Sequence, residues 1–334
     1  MRSIFIFAVA VLVILMSFCV TFADEVEGES GKLEFSGVLE EELGYIIGQE
    51  EDESDFALAT VELGADISLA SNVCGHVLFL YEQGENDDNI AVDEGIIDLK
   101  LPVTLPIELS LSLGRMYVPF GEFNSHFVTD PFTLEIGETN QIALKLSASH
   151  DIMEGSVALY NEKVDDSNQI GDIAAKVATF LPEGALGEEI NLSFGASLVT
   201  NVAGTDGLTD MIGGGAVSDR AMGLGGFVSL NAMGVFLEGE IVMALGDVEI
   251  PGEETLKPRA FNMELGYSLP NMPVEIAGKF EQLSEDGDNS TNRFGGVVAI
   301  GLFDEAAFFG LEFLRSDDSE TVENSVIGQL AVEF

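Results

Sequence analysis

Apolar and polar residues alternate along most of this chain, which is the period expected of β-strands rather than of helices. Between 261 and 269, Phe, Met, Leu, Tyr and Leu take every second position, with Asn, Glu, Gly and Ser between them. The segments 107–114 and 190–198 repeat the pattern, and 57–69 and 235–243 follow it less cleanly. Each predicted strand therefore has one apolar face and one face of small or polar side chains.

The connections between these strands are alternately short and long. Seven short connections fall at 70–72, 101–106, 149–152, 181–188, 230–234, 269–273 and 302–306. Eight longer and mostly acidic connections fall at 48–55, 83–89, 117–139, 162–170, 201–218, 246–258, 284–292 and 316–324. This order predicts about sixteen antiparallel strands, with both chain ends on the side of the short turns.

We predict an all-β fold, a transmembrane antiparallel β-barrel that carries its apolar face toward lipid and its polar face toward a lumen. A water-soluble sandwich is the alternative, but it does not explain why the long, acidic connections all fall at one end of the hairpins. In the last strand Val326, Leu330, Val332 and Phe334 share one parity. A terminal Phe on the lipid face resembles the closing strands that the barrel-assembly machinery recognises.

The first 23 residues have the pattern of a cleaved secretory signal peptide. Arg2 supplies a positive start, residues 4–20 are almost wholly apolar, and Ala23 offers a small residue at the cleavage point. A retained membrane anchor and a lipoprotein modified at Cys19 are the alternatives. We therefore predict a single barrel domain over residues 24–334, in the outer membrane of a Gram-negative bacterium.

The chain is strongly acidic, with 13 Lys and Arg against 59 Asp and Glu and a net charge of −46. Such a charge argues against nucleic acid or an anionic lipid surface as the partner and favours cations. Acidic chains are often disordered, but 46% of these residues are apolar. The charge must therefore be separated in space from a large apolar surface.

The segment 117–139 does not alternate, and it is rich in Phe with Pro119, Gly121 and Pro131. We predict an ordered loop rather than a strand or helix, which as the third outer loop folds into the lumen and narrows it. The residues expected to meet solute at this constriction are four on the loop and one on the wall: Glu122, His126, Asp130, Glu135 and Arg293.

Several acidic residues have the parity of the lumen face, and together they predict a negative lumen that prefers cations. For any single acidic residue, the simpler interpretation is that it only keeps a water-filled wall hydrated. The principal lumen acids are Glu62, Asp66, Glu108, Glu240 and Glu264, joined by Glu40, Glu42, Glu238 and Glu275.

Five arginines fall at strand ends beside long loops: Arg115, Arg220, Arg259, Arg293 and Arg315. Three of them, Arg115, Arg259 and Arg315, have lipid-facing parity and are expected to contact lipopolysaccharide phosphates. Arg293 has lumen parity and is the basic candidate for solute contact.

Catalysis and bound metal are not expected. His76, His126 and His150 lie far apart without Cys or acid at metal-ligand spacing, and Ser125 beside His126 lacks the rest of a hydrolase constellation. The acidic loop segments 87–88 and 286–288 lack the spacing of a calcium loop. Weak divalent cation binding on acidic loops is therefore the extent of the cofactor prediction.

Two segments, GRMYVPFG at 114–121 and TDPFTLEIGET at 129–139, resemble the LbtU family of outer-membrane siderophore porins. Weaker similarity covers 57–64, 76–82, 92–94 and 329–334. The resemblance implies a sixteen-stranded barrel without a plug domain that helps ferric siderophores cross the outer membrane. A general cation-preferring diffusion porin is the alternative, a structural or adhesive barrel is the third, and assembly into a homotrimer remains open.

Overall fold

A computed structural model of the chain shows a closed barrel of sixteen antiparallel strands. The structure describes residues 31–47, 52–84, 89–103, 106–161, 170–181, 184–187, 190–211, 220–249, 255–285, 290–304, 306–318 and 321–334. The predicted signal peptide and the acidic segments 87–88 and 286–288 lie outside these ranges.

Every strand is close to the length that a tilted strand needs to cross a bilayer, or longer. The strands are β1 (Lys32–Ile47), β2 (Asp52–Ala70), β3 (Val73–Glu82), β4 (Ala91–Leu101), β5 (Glu108–Tyr117), β6 (Asn140–His150), β7 (Met153–Asn161), β8 (Ile170–Leu181), β9 (Ile190–Val199), β10 (Gly223–Ala232), β11 (Val235–Ala244), β12 (Arg259–Ser268), β13 (Val274–Ser284), β14 (Ser290–Leu302), β15 (Ala307–Asp317) and β16 (Val322–Glu333).

Each strand pairs with its neighbours in sequence, and β1 pairs with β16 to close the barrel. The backbone N–H of Gly37 donates to the carbonyl of Phe334 at 3.0 Å, and the N–H of Phe334 donates back at 3.1 Å. A Cβ at Gly37 would lie 2.5 Å from the Phe334 ring, so glycine leaves room for that terminal ring. The predicted strand number is confirmed, and β1 begins and β16 ends on the side of the short turns.

The two faces of the wall differ as the alternation predicted. On β12 the outward Leu265 is 56% exposed while its neighbour Glu264 is fully buried, and on β15 Leu311 and Glu312 differ in the same way. Contiguous rows of exposed Leu, Phe and Val are stable against lipid and unstable against water. The wall is therefore a membrane-spanning barrel, and the sandwich alternative is wrong because a single sheet closes on itself.

The short turns use the backbone conformations of tight hairpins. Between β10 and β11, Met233 and Gly234 have φ values of 54° and 82°. Positive φ at both positions gives a turn whose twist matches that of the flanking strands. A Cβ at position 234 would lie 2.9 Å from the carbonyl oxygen of Ser268, the last residue of β12. The close approach of that strand end therefore also favours glycine at position 234.

Within the described ranges, no helix is long and apolar enough to cross a membrane.

Candidate functional site

The third outer loop, residues 118–139, folds into the barrel, and we call it the inner loop. The N–H of Val118 donates to the carbonyl of Thr139 at 2.9 Å and closes the neck of the loop. Gly121, with φ of 76°, turns the chain into the lumen, where a Cβ would lie 2.0 Å from the Phe123 ring. From there the loop contacts the far wall, so the predicted entry of this loop into the lumen is confirmed.

The inner loop contains one short helix, α1 (Phe132–Gly137), which the sequence prediction of a loop without helix missed. A helix of six residues is too short to form alone. The wall supplies the missing stability, because Glu281 accepts a hydrogen bond from the N–H of Phe132 at 3.0 Å. The side chains of Phe132 and Ile136, which belong to this helix, are buried.

Wall glutamates hold the loop by its backbone. On β11, Glu240 accepts from the N–H groups of Glu122 at 2.7 Å and Phe123 at 2.9 Å. On β12, Glu264 accepts from the hydroxyl of Ser125 at 2.7 Å and from the N–H of His126 at 2.8 Å. These carboxylates lie on the lumen face as predicted, but the loop covers both.

The same contact repeats on β15. Glu312 accepts from the N–H of Val128 at 2.8 Å and from the hydroxyl of Thr129 at 2.6 Å. A hydrogen bond to a charged group contributes about 1.5–3 kcal/mol. Carboxylates on β11, β12, β13 and β15 thus fix one face of the inner loop.

Lys279 on β13 is the buried cation of this contact. Its ammonium lies 3.4 Å from Glu264 and 3.7 Å from Glu281, and it donates to the carbonyl of Thr129 at 3.1 Å. It also lies 4.7 Å from the centre of the Phe127 ring. Both carboxylates and the ammonium have fully buried side chains, so each depends on the others for compensation.

The substitution Lys279→Met is expected to lower the free energy of unfolding by about 3–5 kcal/mol, because it leaves buried carboxylates with less compensation. Urea unfolding in detergent micelles, followed by circular dichroism, measures the change. Lys100→Met is the matched control, since Lys100 is exposed at the periplasmic end of β4. Equal losses in the two variants would contradict a compensating role for Lys279.

Arg293, predicted to meet solute, contacts the inner loop. Its guanidinium donates to Glu281 at 2.7 Å and to the Asp130 carbonyl at 2.8 Å, and it lies 3.3 Å from Glu135. It covers the Phe132 ring at 3.9 Å, and its side chain is 12% exposed. The structure thus joins three predicted site residues, Arg293, Asp130 and Glu135, into one contact.

Lys176 on β8 holds the start of the loop. It donates to the carbonyl of Gly121 at 3.0 Å and pairs with the carboxylate of Glu122. Its ammonium also lies 5.1 Å from the centre of the Phe227 ring. Three lumen cations, Lys176, Lys279 and Arg293, are therefore all engaged with the inner loop.

The loop between β9 and β10 also folds inward, which the sequence did not predict. It contains a 3-10 turn (Val202–Gly204) and the helix α2 (Asp206–Met211). The N–H of Asp206 donates to the Glu138 carbonyl at 2.9 Å. A Cβ at Gly207 would lie 2.0 Å from the Glu135 carbonyl oxygen, so glycine allows the two helices to touch.

An apolar core fills the outer lumen on the side of β5 to β13. It joins the inner loop, α2 and the wall through buried side chains that include Phe120, Ile136, Val202, Leu208 and Val242. On the opposite side, along β1 to β4 and β16, most lumen-facing side chains remain at least partly exposed.

That remaining wall is acidic and accessible. Asp66 is 57% exposed, and its carboxylate accepts a hydrogen bond from Nδ1 of the His76 ring at 2.9 Å. The lumen-facing Glu42 accepts from Gln329 at 2.9 Å and lies near enough to Asp130 for their charges to repel. Other lumen-facing acids of these strands that are at least partly exposed include Glu34, Glu40, Glu62, Glu82, Glu94 and Asp98.

The predicted site residues fall at three places. Seven gather at the inner loop: Glu122, His126, Asp130, Glu135, Glu240, Glu264 and Arg293. Glu62 and Asp66 lie on the more exposed wall opposite the loop, and Glu108 is exposed at the periplasmic start of β5. Contact of any of them with solute stays a prediction.

His126 points from the inner loop toward the periplasmic ends of the strands. Its ring stacks on Phe236 with centres 3.9 Å apart, and Nδ1 lies 3.5 Å from Glu275. The side chain is 31% exposed. His126 therefore forms part of the periplasmic surface of the constriction.

Sequence reasoning missed Glu281, Glu312, Lys176 and Lys279 as anchors of the loop. Their alternation assigns them to the lumen face, but no local pattern shows which of the lumen-facing residues the loop will cover. It also missed Glu138 at the end of α1. Half-burial first, and then repulsion from nearby carboxylates, raises the pKa of Glu138 to about 7; these carboxylates are Asp130, Glu82, Asp206 and Asp93.

Cation selectivity is expected to increase as the pH rises through this pKa, since Glu138 is neutral below it and charged above it. One added charge near the solute path corresponds to roughly a twofold rise in the cation-to-anion permeability ratio. Reversal potentials on either side of pH 7 measure the change. Glu138→Gln should remove this increment, and an identical pH profile in that variant would contradict the assignment to Glu138.

Among the residues that the structure describes, no three His, Cys, Asp or Glu side chains come together as a metal site.

Comparison with known sequences gives one weak relative. No protein-family model matches the chain. A protein described as UPF0422 from Coxiella burnetii is 24% identical over 260 residues, which cover 72% of this chain and 54% of that protein. The chain therefore spans about half the length of the curated relative that it matches.

Solved structures share the fold. The outer membrane channel DcaP of Acinetobacter baumannii has a TM-score of 0.63 at 10% identity, over 91% of this chain and 98% of its own. OmpF of Salmonella typhi has a TM-score of 0.63 at 12% identity, over 93% of this chain and 100% of its own. OprB of Pseudomonas putida has a TM-score of 0.65 at 9% identity, over 90% of this chain and 94% of its own. These values show a porin-like barrel fold and agree with the predicted outer-membrane location.

Proposed function

We propose that this barrel is a passive channel through which small hydrophilic solutes, with a preference for cations, cross the outer membrane. The observation that carries the proposal is the unequal exposure of lumen charges. Lys176, Lys279 and Arg293 are engaged with the inner loop, whereas the carboxylates along β1 to β4 remain accessible.

The accessible wall has little positive charge to offset its acids. Lys32 and Lys100 are the basic residues of β1 to β4 other than His76, and Lys32 pairs with Glu34. Carboxylates lining a narrow lumen raise the local concentration of cations and repel anions. A solute entering here therefore meets a negative field over the length of the wall.

The inner loop and α2 limit the size of the solute. Both occupy the outer lumen, and wall carboxylates and ammonium groups hold the inner loop in place. The passage is thus a fixed narrow path along one wall. Diffusion down a concentration gradient needs no covalent step, so we infer transport without catalysis.

Passage of ferric siderophores is the second candidate. The two segments that resemble the siderophore porins, 114–121 and 129–139, coincide with the end of β5, the inner loop and α1. The similarity therefore falls on the element that narrows the lumen. A cationic or neutral ferric complex suits the acidic wall better than an anionic one.

Two partner predictions accompany this function. Phe334 is 63% exposed on the lipid face, which suits recognition of the last strand by the barrel-assembly machinery. Assembly into a homotrimer is the second prediction, and crosslinking of the folded barrel in detergent tests it. A band at three times the monomer mass would support it, and monomers alone would contradict it.

Flux into liposomes containing the refolded protein tests the proposed function. Solutes of matched size and different charge should enter in the order cationic, neutral, anionic. A ferric siderophore added to the same liposomes tests the second candidate, since iron should then accumulate inside. Equal entry of cationic and anionic solutes would contradict a cation-preferring channel, and absence of any flux from a folded barrel would contradict transport.

A further inference from the structure

The lumen face of β3 carries a thiol and an imidazole close together. Cys74 and His76 are two residues apart on this strand, so their side chains point to the same face. His76 pairs with Asp66 on β2, and Cys74 pairs with Ser68 on β2 and with Asp98 on β4. Directly paired residues share a face of the sheet, and Asp66 and Asp98 face the lumen. The thiol and the imidazole therefore belong to the accessible wall along β1 to β4.

Asp66 fixes the orientation of the His76 ring. Its carboxylate accepts a hydrogen bond from Nδ1 at 2.9 Å, which leaves Nε2, on the other side of the ring, as the nitrogen able to bind a cation. Histidines that bind metal ions are usually held in this way, by a carboxylate or carbonyl that accepts from the other ring nitrogen. The His76 side chain is 26% exposed, so a solute in the lumen can reach the ring.

Two further carboxylates lie beside this ring on β4. Glu94 and Asp98 are the diagonal neighbours of His76 across the pair of β3 and β4, at a separation of about 7–8 Å that long side chains can span. The charges of His76 and Glu94 lie near enough to attract each other. Asp98 accepts a hydrogen bond from the hydroxyl of Ser112, and Lys145 also lies near Glu94. The carboxylates around the ring therefore outnumber this nearby ammonium group.

Imidazole, thiol and carboxylate groups together suit divalent transition-metal ions such as Zn²⁺. Imidazole and thiolate ligands favour these ions, whereas Mg²⁺ and Ca²⁺ prefer ligands made of oxygen alone. In the part of the chain that the structure describes, no three such side chains close on one point, so an ion bound here keeps part of its water. An open site of this kind suits a passage, because a bound ion must also be able to leave.

We propose that His76, with Glu94 and Cys74 beside it, binds divalent transition-metal ions transiently as they pass along the accessible wall. His76 is near the periplasmic end of β3, so the site lies in the periplasmic half of the lumen. There an ion exchanges some of its water for Nε2 of His76 and a carboxylate oxygen of Glu94, and then leaves. This inference rests on the proposed function, since it names a class of cation that the channel carries.

Block of the potassium current by Zn²⁺, measured for the refolded barrel in a planar bilayer, tests the proposal. The current of each variant is compared with its own current without zinc. His76→Gln should raise the zinc concentration for half-block by about tenfold, since about 1.4 kcal/mol of lost binding free energy is one factor of ten. Glu94→Gln and Cys74→Ser should raise it by smaller factors. Mg²⁺ at the same concentrations should block much less than Zn²⁺.

The matched control is His150→Gln, which removes an imidazole at the exposed turn after β6, 3.5 Å from Asp151, and should leave the block unchanged. Absence of zinc block in the unaltered barrel, equal block in His76→Gln, equal block by Mg²⁺, or an equal loss in His150→Gln would each overturn the proposal. A folded barrel without potassium current would contradict the proposed function instead. Calorimetric titration of that barrel with Zn²⁺ in detergent would then test the site, and equal zinc affinity in His76→Gln would overturn it.

Discussion

Deletion of residues 122–130 is expected to raise the single-channel conductance by roughly twofold or more, because it removes backbone that narrows the lumen. This segment includes the groups that contact Glu240, Glu264 and Glu312. Without it, those carboxylates face water instead of the loop. The planar-bilayer current of the refolded variant measures the change.

The variant Ser125→Ala is the control for this deletion. It removes a single hydroxyl contact to Glu264 and keeps the loop backbone in place, so its conductance should equal that of the unaltered barrel. Heat-modified gel mobility shows whether each barrel is closed. A closed deletion variant with unchanged conductance would mean that the inner loop does not limit the current.

Neutralising three acids of the accessible wall is expected to lower the cation-to-anion permeability ratio by roughly five- to tenfold. The triple variant carries Glu42→Gln, Glu62→Gln and Glu94→Gln, which lie on the lumen face of β1, β2 and β4. These three substitutions do not remove any hydrogen bond between the wall and the inner loop. The reversal potential under a salt gradient measures the ratio.

The matched control replaces the same three residues with aspartate. It keeps each charge on the wall and shortens each side chain by one methylene, so selectivity should remain close to that of the unaltered barrel. An unchanged reversal potential in the glutamine variant would contradict the role of this wall in selecting cations. Equal losses in both variants would point to altered packing instead of charge.

The barrel could be predicted from sequence because each strand lies between two different solvents. Lipid requires apolar side chains at every second position, and the lumen accepts polar ones between them, so the pattern at 261–269 is fixed locally. The short turns are local as well, as Met233 and Gly234 show. These features need no information from distant parts of the chain.

The interior of the barrel could not be predicted in the same way. Val128 and Glu312 are separated by 184 residues, and the contact of Phe132 with Glu281 spans 149. Alternation assigns Glu281 and Glu312 to the lumen but does not say that a loop will cover them. For the same reason, the contact of Arg293 with the loop was not predicted, and the helix at 132–137 was missed because the wall stabilises it.

The reversal potential of the refolded, unaltered barrel under a potassium chloride gradient tests the central claim most directly. Because Lys176, Lys279 and Arg293 contact the inner loop and the carboxylates of β1 to β4 remain accessible, we expect a potential displaced toward the equilibrium potential of potassium. A potential near zero, or one displaced toward that of chloride, would contradict a cation-preferring passage along this wall.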